Sequence, residues 1–340
     1  MLWDLFCRVI DNYGDVGVCW RLARHLGAAG EQVRLWIDDE RALRWMAPGG
    51  APGVECRPFA DDPACLPGDV VIEAFGCDPP PTFVARMAAR QPRPVWINLE
   101  YLSAESYVER SHGLRSPQFA GPGAGLDKWF FYPGFSEATG GLLPAAEVGD
   151  RRGWLQSHGW APREGERVVL LFCYDNPALP RLLHDLARAP TLLLAAAGAA
   201  QAALTQAHGS PLRGVALPHL PQPVFDELIA CVDLSIVRGE DSFAQACQSG
   251  RPFVWQPYPQ ADGAHGPKLN AFLDRFVGTA RPAEPDALRT LWHGWNGLGA
   301  WTGRWPALNE WQAATQRWRD ALRGQEDLMT RLRRFVDARR

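Results

Sequence analysis

Apolar runs of strand length alternate with segments of helical period along this chain, and the alternation runs twice. The first series opens with Leu2, Trp3, Leu5, Phe6, Val9 and Ile10, which read as a strand, and continues with Val18, Leu22 and Leu26 at helical spacing. Residues 32–37, 69–75, 94–102 and 130–135 read as further strands, and 39–46 and 81–90 as helices, the second with proline in its first turn. Residues 136–166, rich in glycine, proline and charge, read as a linker. From residue 167 the series restarts, with strands over 167–174, 191–197, 215–220, 233–237 and 252–256. Its helices are expected over 180–188, 199–208, 224–231, 242–248 and 269–276. Such alternation implies a parallel sheet wrapped by helices, so the fold class is α/β with two doubly wound domains, over 1–165 and 166–324. Two further helices, 307–322 and 326–336, end the chain.

A length of 340 residues suits two domains better than one core. A net charge of −3, with no basic stripe outside the last ten residues, excludes a nucleic-acid footprint. The arginines there (Arg331, Arg333, Arg334, Arg339, Arg340) read as a solvated helix end suited to the dipole. Eight irregularly spaced cysteines without a C-x-x-C pair fit free thiols in a reducing compartment. The chain enters a strand at once, Asp4 included, and has no apolar run of membrane-spanning length, so a cytoplasmic protein without signal peptide or membrane contact is expected. Six of fifteen tryptophans (Trp292, Trp295, Trp301, Trp305, Trp311, Trp318) crowd the last quarter and read as core packing. Only Lys128 and Lys268 are lysines.

Neither half carries G-x-G-x-x-G or a P-loop, no H-E-x-x-H or other paired histidines suggest a metal, and G-x-S-x-G is absent. Two Rossmann-like halves lacking both nucleotide signatures point to the GT-B glycosyltransferase architecture, at the level of fold only.

Candidate chemistry gathers at strand ends, where open α/β sheets bind ligands. The loop Asp11-Asn12-Tyr13-Gly14-Asp15-Val16-Gly17 puts two carboxylates four residues apart, with Gly14 and Gly17 allowing close backbone approach. In the second half, Arg238-Gly239-Glu240-Asp241-Ser242 passes from a strand into a helix, whose N-terminus suits a pyrophosphate. Capping by Asp241 or Ser242 explains part of that block but not the whole. Phe172 and Tyr174 share one face of a strand and either flank a base or sugar or belong to the core. His219 and Gln222 follow another strand, where they stack on or read a base, or simply face solvent.

Together these blocks resemble the EarP family of protein-arginine rhamnosyltransferases, which modify bacterial elongation factor P. The resemblance rests on Phe6 to Val18, Ile97 to Ser103, Phe131 to Phe135, Thr139 to Leu143, Leu171 to Tyr174, Arg238 to Phe243 and Pro252 to Trp255, and spans nearly the whole chain. At His219 the family is expected to use an aromatic ring. The likeness implies a GT-B fold with two domains facing across a cleft and a tail, about 325–340, returning to the first domain. It implies dTDP-β-L-rhamnose as co-substrate, no cofactor or metal, and an arginine in the N-terminal domain of elongation factor P as acceptor, activated for rescue of ribosomes stalled at polyproline. Phe172, Tyr174, His219 and Gln222 would hold thymidine, and Arg238, Gly239, Asp241 and Ser242 the pyrophosphate. Asn12, Tyr13, Gly14 and Gly17 would shape the acceptor-side loop. The chemistry agrees: a carboxylate pair can orient a guanidinium and accept its proton. Asp15 is the expected base in an inverting displacement and Asp11 the orienting group, with those roles exchangeable, while Glu240 serves the sugar or the pyrophosphate loop. A GT-B enzyme with a glycan, lipid or small-molecule acceptor is the rival expectation, and a non-catalytic nucleotide-sugar sensor is another.

Overall fold

The computed structural model describes residues 1–11, 13–206, 212–259 and 263–340, and its chain forms two compact units. The first unit comprises Met1–Pro144 and Gln325–Arg340, the second Ala145–Gly324.

In the first unit the elements are β1 (Leu2–Cys7), α1 (Gly14–Ala28), β2 (Gln32–Ile37), α2 (Leu43–Met46), β3 (Val54–Pro58) and β4 (Val70–Ala74), then α3 (Pro81–Ala89), β5 (Val95–Leu99), α4 (Ser106–Ser111), β6 (Arg115–Pro117) and β7 (Asp127–Phe131). Its sheet runs β3-β2-β1-β4-β5-β7-β6, parallel except for the β6–β7 pair. β1, β4 and β5 are buried on both faces, which is why they read as continuous apolar runs. The strand expected over 130–135 is β7, which starts and ends earlier. β3 and β6 escaped the sequence because both are edge strands with mostly exposed side chains.

The second unit holds α5 (Arg151–Ser157), β8 (Arg167–Leu171), α6 (Leu179–Leu186), β9 (Thr191–Ala195), α7 (Ala199–Gln206), β10 (Leu212–Ala216), α8 (Gln222–Cys231) and β11 (Leu234–Arg238). It continues with α9 (Asp241–Ser249), β12 (Phe253–Gln256), α10 (His265–Ala280), α11 (Pro285–Trp295) and α12 (Leu308–Arg323). Its five-stranded parallel sheet runs β10-β9-β8-β11-β12. The boundary lies at Pro144 rather than at 165, because α5 is tied into the second unit. Arg151 donates to Cys231 O at 2.5 Å and pairs with Asp233, and Trp154 Nε1 donates to Glu227 at 2.7 Å. Trp292, Trp295, Trp311 and Trp318 are buried there as core.

The last helix, α13 (Leu328–Asp337), belongs to the first unit. Leu328, Met329, Leu332 and Val336 fill the core that α1 also lines. Asp327 caps it by accepting from Thr330 N at 2.8 Å. Of the five tail arginines, Arg333, Arg334 and Arg340 are exposed as expected, whereas Arg331 and Arg339 are not simply solvated. Arg331 is buried and donates to Ser136 O at 2.8 Å and Thr139 O at 2.5 Å, and Arg339 lies over the Phe335 and Trp129 rings. All eight cysteines are free. Among the described residues, no helix is long and apolar enough to cross a membrane.

Inside the first unit Asp4 is fully buried on β1, and its two oxygens accept from Arg34 Nε and Nη2 at 2.7 Å each, from Trp36 Nε1 at 2.8 Å and from Gly68 N at 2.7 Å. Removing one partner strands a buried charge, at a cost of about 3–5 kcal/mol. Asp4→Ala should therefore lower the denaturant midpoint of the first unit by that equivalent, and adding Arg34→Met should recover part of it. Equal midpoints for Asp4→Ala and wild type would show that the pair is not structural.

Candidate active site

Among its parallel strands each sheet reverses its order once, between β1 and β4 in the first unit and between β8 and β11 in the second. In open α/β sheets ligands bind at the carboxyl edge where the strand order reverses in this way. The candidate residues gather at these two points.

In the first unit, β1 stops at Cys7, before Val9 and Ile10, and α1 starts at Gly14 rather than at Val18. Asp15 and Gly17 therefore lie in the first turn of a helix, not in a loop, and Tyr13 is the N-cap. Asn12 lies outside the described residues. The earlier start follows from Asp15 itself. Its Oδ2 accepts from Ile10 N at 2.8 Å and Asp11 N at 2.9 Å, which folds the incoming chain back onto the helix end. Gly17 N closes the first helical bond to Tyr13 O at 2.9 Å. A Cβ at Gly14 would stand 2.5 Å from Asp11 Oδ2, so the close approach at that glycine is to the neighbouring carboxylate. Tyr13 packs edge-on against Trp45, 5.2 Å between centroids.

Asp15 is only 2 % exposed, and its Oδ1 accepts a longer bond from the Tyr101 hydroxyl at 3.3 Å. Burial pushes its carboxyl above the ordinary range, and the charge of Asp11 pushes the same way; the bonds from Asp11 N, Ile10 N and Tyr101 oppose this without cancelling it. The result is a desolvated carboxylate of raised basicity.

Residues after β4 and β5 support it. Tyr101 stacks on Phe75 with centroids 4.2 Å apart, and Phe75 takes a left-handed φ of 59° as it leaves β4. Glu100 is also pushed upward by burial and accepts from Asn98 Nδ2 at 2.8 Å. The sequence carried Glu100 and Tyr101 only as part of a family block, and Phe75 only as a strand end. An acid and a phenol directly after a buried strand were the available signal. Because the Tyr101 hydroxyl lowers the Asp15 value, Tyr101→Phe should move the Asp15 titration, followed by carboxyl NMR, to higher pH. An unmoved titration would remove Tyr101 from the site.

In the second unit, Phe172 and Tyr174 lie just past β8, half-buried. What stands over both rings is the guanidinium of Arg238, the last residue of β11, at 4.5 Å and 4.4 Å from the centroids. Phe225 on α8 packs edge-on to Phe172 at 5.3 Å, and Tyr258 to Tyr174 at 5.6 Å; neither was singled out in the sequence. Gly239 takes φ 67°, where glycine alone is unstrained. Its N–H donates to Gln256 O at 3.1 Å and its carbonyl accepts from Trp255 Nε1 at 2.7 Å. The N-cap of α9 is Glu240, without a side-chain cap bond, so neither Asp241 nor Ser242 caps the helix. Glu240 instead pairs with Lys268, and Asp241 accepts from Gln222 Nε2 at 3.1 Å. Gln222 thus reaches the acidic turn. Ser242 is buried in the first turn, and His219 is exposed between β10 and α8. Among the described residues, no group of three or more His, Cys, Asp or Glu side chains is arranged to hold a metal ion.

Solved glycosyltransferases share this architecture. The spinosyn rhamnosyltransferase SpnG superposes with a TM-score of 0.57 at 14% identity, over 98% of this chain and 99% of its own, a likeness of fold. The two doubly wound units and the returning helix thus have the GT-B fold. More specifically, the chain belongs to the EarP family: residues 3–337 match the family described as Elongation-Factor P (EF-P) rhamnosyltransferase EarP. A protein-arginine rhamnosyltransferase of Pseudomonas aeruginosa is 40% identical over 98% of both chains. A solved structure concerned with EarP-mediated arginine glycosylation of translation elongation factor EF-P is 27% identical, with a TM-score of 0.67 over 99% of both chains.

Proposed function

We propose that the protein transfers L-rhamnose from dTDP-β-L-rhamnose to an arginine in the N-terminal domain of translation elongation factor P, with inversion at the anomeric carbon, in the cytoplasm. The observation that carries this reading is a buried carboxylate of raised basicity, Asp15, beside a second acid, in a chain of the EarP family.

An arginine nucleophile sets the difficulty. Its pKa exceeds ~12 against about 4 for an ordinary carboxylate, a gap of ~8 units or about 11 kcal/mol. Burial of Asp15 narrows that gap without closing it, so the proton leaves as the C–N bond forms, when the nitrogen becomes acidic. In this mechanism Asp11 holds the guanidinium and Asp15 takes the proton. The guanidinium nitrogen attacks the anomeric carbon, and the bond from that carbon to the diphosphate oxygen breaks with its electron pair on dTDP. The helix dipole and N–H groups of α9, with Arg238, take the charge of the leaving group, a role that calls for no metal. Phe172 and Tyr174 hold the thymidine with His219 and Gln222, and Gly239, Asp241 and Ser242 line the diphosphate turn. Glu240 serves the sugar.

Incubation of elongation factor P with the protein and dTDP-rhamnose should add one deoxyhexose by intact-mass analysis. Asp15→Asn should lower transfer by about 10²–10⁴-fold while dTDP affinity stays close to wild type. Retained transfer in that variant would reject Asp15 as the base, and retained transfer to other acceptors only would favour the rival acceptor classes. Activity requires Asp15 ionised, so the acid limb of kcat should lie above the ordinary carboxylate range. Asp11→Asn removes a raising charge and should move that limb to lower pH.

A further inference from the structure

Arginine is the ordinary cation of this chain: of 35 lysines and arginines, only Lys128 and Lys268 are lysine. Both lysines meet a glutamate and an indole. Lys128 Nζ lies 2.7 Å from Glu73 and 4.4 Å from the Trp96 ring, within the sheet of the first unit. Lys268, on the first turn of α10, pairs with Glu240 Oε1 and stands 6.0 Å from the Trp255 ring. Its side chain is 22% exposed and that of Glu240 17%, so the pair is largely withdrawn from solvent screening.

The turn they share is held from two sides. β12 holds the backbone, through Trp255 Nε1 to Gly239 O and Gly239 N to Gln256 O. α10 holds the side chain of Glu240 through Lys268. Two acids, Glu240 and Asp241, open a helix whose N-terminus has the field and the donors for an anion. Asp241 accepts from the neutral amide of Gln222. A bare Glu240 carboxylate would set a negative charge against a diphosphate at that helix end. Lys268 offsets it. Lysine also does what arginine would not: it is a point cation that meets one carboxylate oxygen, where a guanidinium fork engages both.

We propose that Lys268 is a positioning residue of the donor site. It neutralises Glu240 so that the N-terminus of α9 accepts a nucleoside diphosphate, and it holds that carboxylate in the orientation that serves the sugar. This rests on the nucleotide-sugar reading of the second unit. Calorimetric titration with dTDP and steady-state transfer from dTDP-rhamnose test it in the full chain. Lys268→Met should weaken dTDP binding about tenfold or more, and adding Glu240→Gln should restore binding to within about threefold, because the repelling charge is gone. Lys268→Arg should keep dTDP affinity within about threefold but lower kcat about tenfold, with little change in KM. Wild-type dTDP affinity in Lys268→Met, or a loss that Glu240→Gln does not rescue, overturns the proposal. Wild-type kcat in Lys268→Arg overturns the orienting role. A wild-type protein that ignores dTDP overturns the donor reading and this proposal together, whereas wild-type binding with indifferent variants overturns this proposal alone.

Discussion

Two backbone amides donating to one carboxylate oxygen set the first unit's site. Ile10 N and Asp11 N both reach Asp15 Oδ2, and that double bond turns the chain after β1, starts α1 early and brings Asp11 against Gly14. Hydrogen bonds to a charged acceptor contribute about 1.5–3 kcal/mol each, yet the carboxyl still sits above its ordinary value because burial outweighs them. Asp4, on the strand that feeds this loop, shows the opposite solution. It is equally buried but meets a guanidinium fork, an indole N–H and an amide. One aspartate is neutralised by a cation and braces the sheet. The other is bound by amides and a phenol and keeps its basicity. Under the proposed function, keeping such a group trades stability at that position for chemistry.

The second unit handles charge in the reverse sense. Under the proposed function its task is to admit an anion at the start of α9, and the acids there meet different partners. Arg238 stands over the rings of Phe172 and Tyr174. Glu240 has Lys268, and Asp241 has Gln222. Gly239 makes this crowding feasible, because its positive φ lets both its N–H and its carbonyl turn toward β12 while the flanking side chains point elsewhere.

Much of this was legible in the sequence for a simple reason. In a parallel sheet buried on both faces, strands are continuous apolar runs, and the ligand-binding residues follow directly after them. The acids after β1, the aromatics after β8 and the Arg-Gly-Glu-Asp-Ser block after β11 were found that way. Edge strands β3 and β6 carried no such run. The start of α1 was hidden because Gly14 and Asp15 have no apolar side chain to mark a helical face. The supporting contacts were invisible for a different reason, since they join distant positions. Tyr101 meets Asp15 across 86 residues and Lys268 meets Glu240 across 28. Arg331 misled because charge in a terminal helix reads as solvated, whereas it bonds two carbonyls of the chain turn at 136–139.

The two units also divide the work unequally under the proposed chemistry. A carboxylate, however desolvated, cannot strip a guanidinium before the sugar bond breaks, because several kcal/mol separate the two even after burial raises the acid. The first unit can therefore supply orientation and a late proton acceptor, and little more. The larger electrostatic demand falls on the unit that must hold a departing diphosphate, where every uncompensated acid raises the barrier. Under that proposal the contrast in partners has a reason: among the described residues Asp15 meets amides and a phenol rather than a cation, which keeps it a base, while Glu240 meets Lys268, which offsets its charge toward the leaving group.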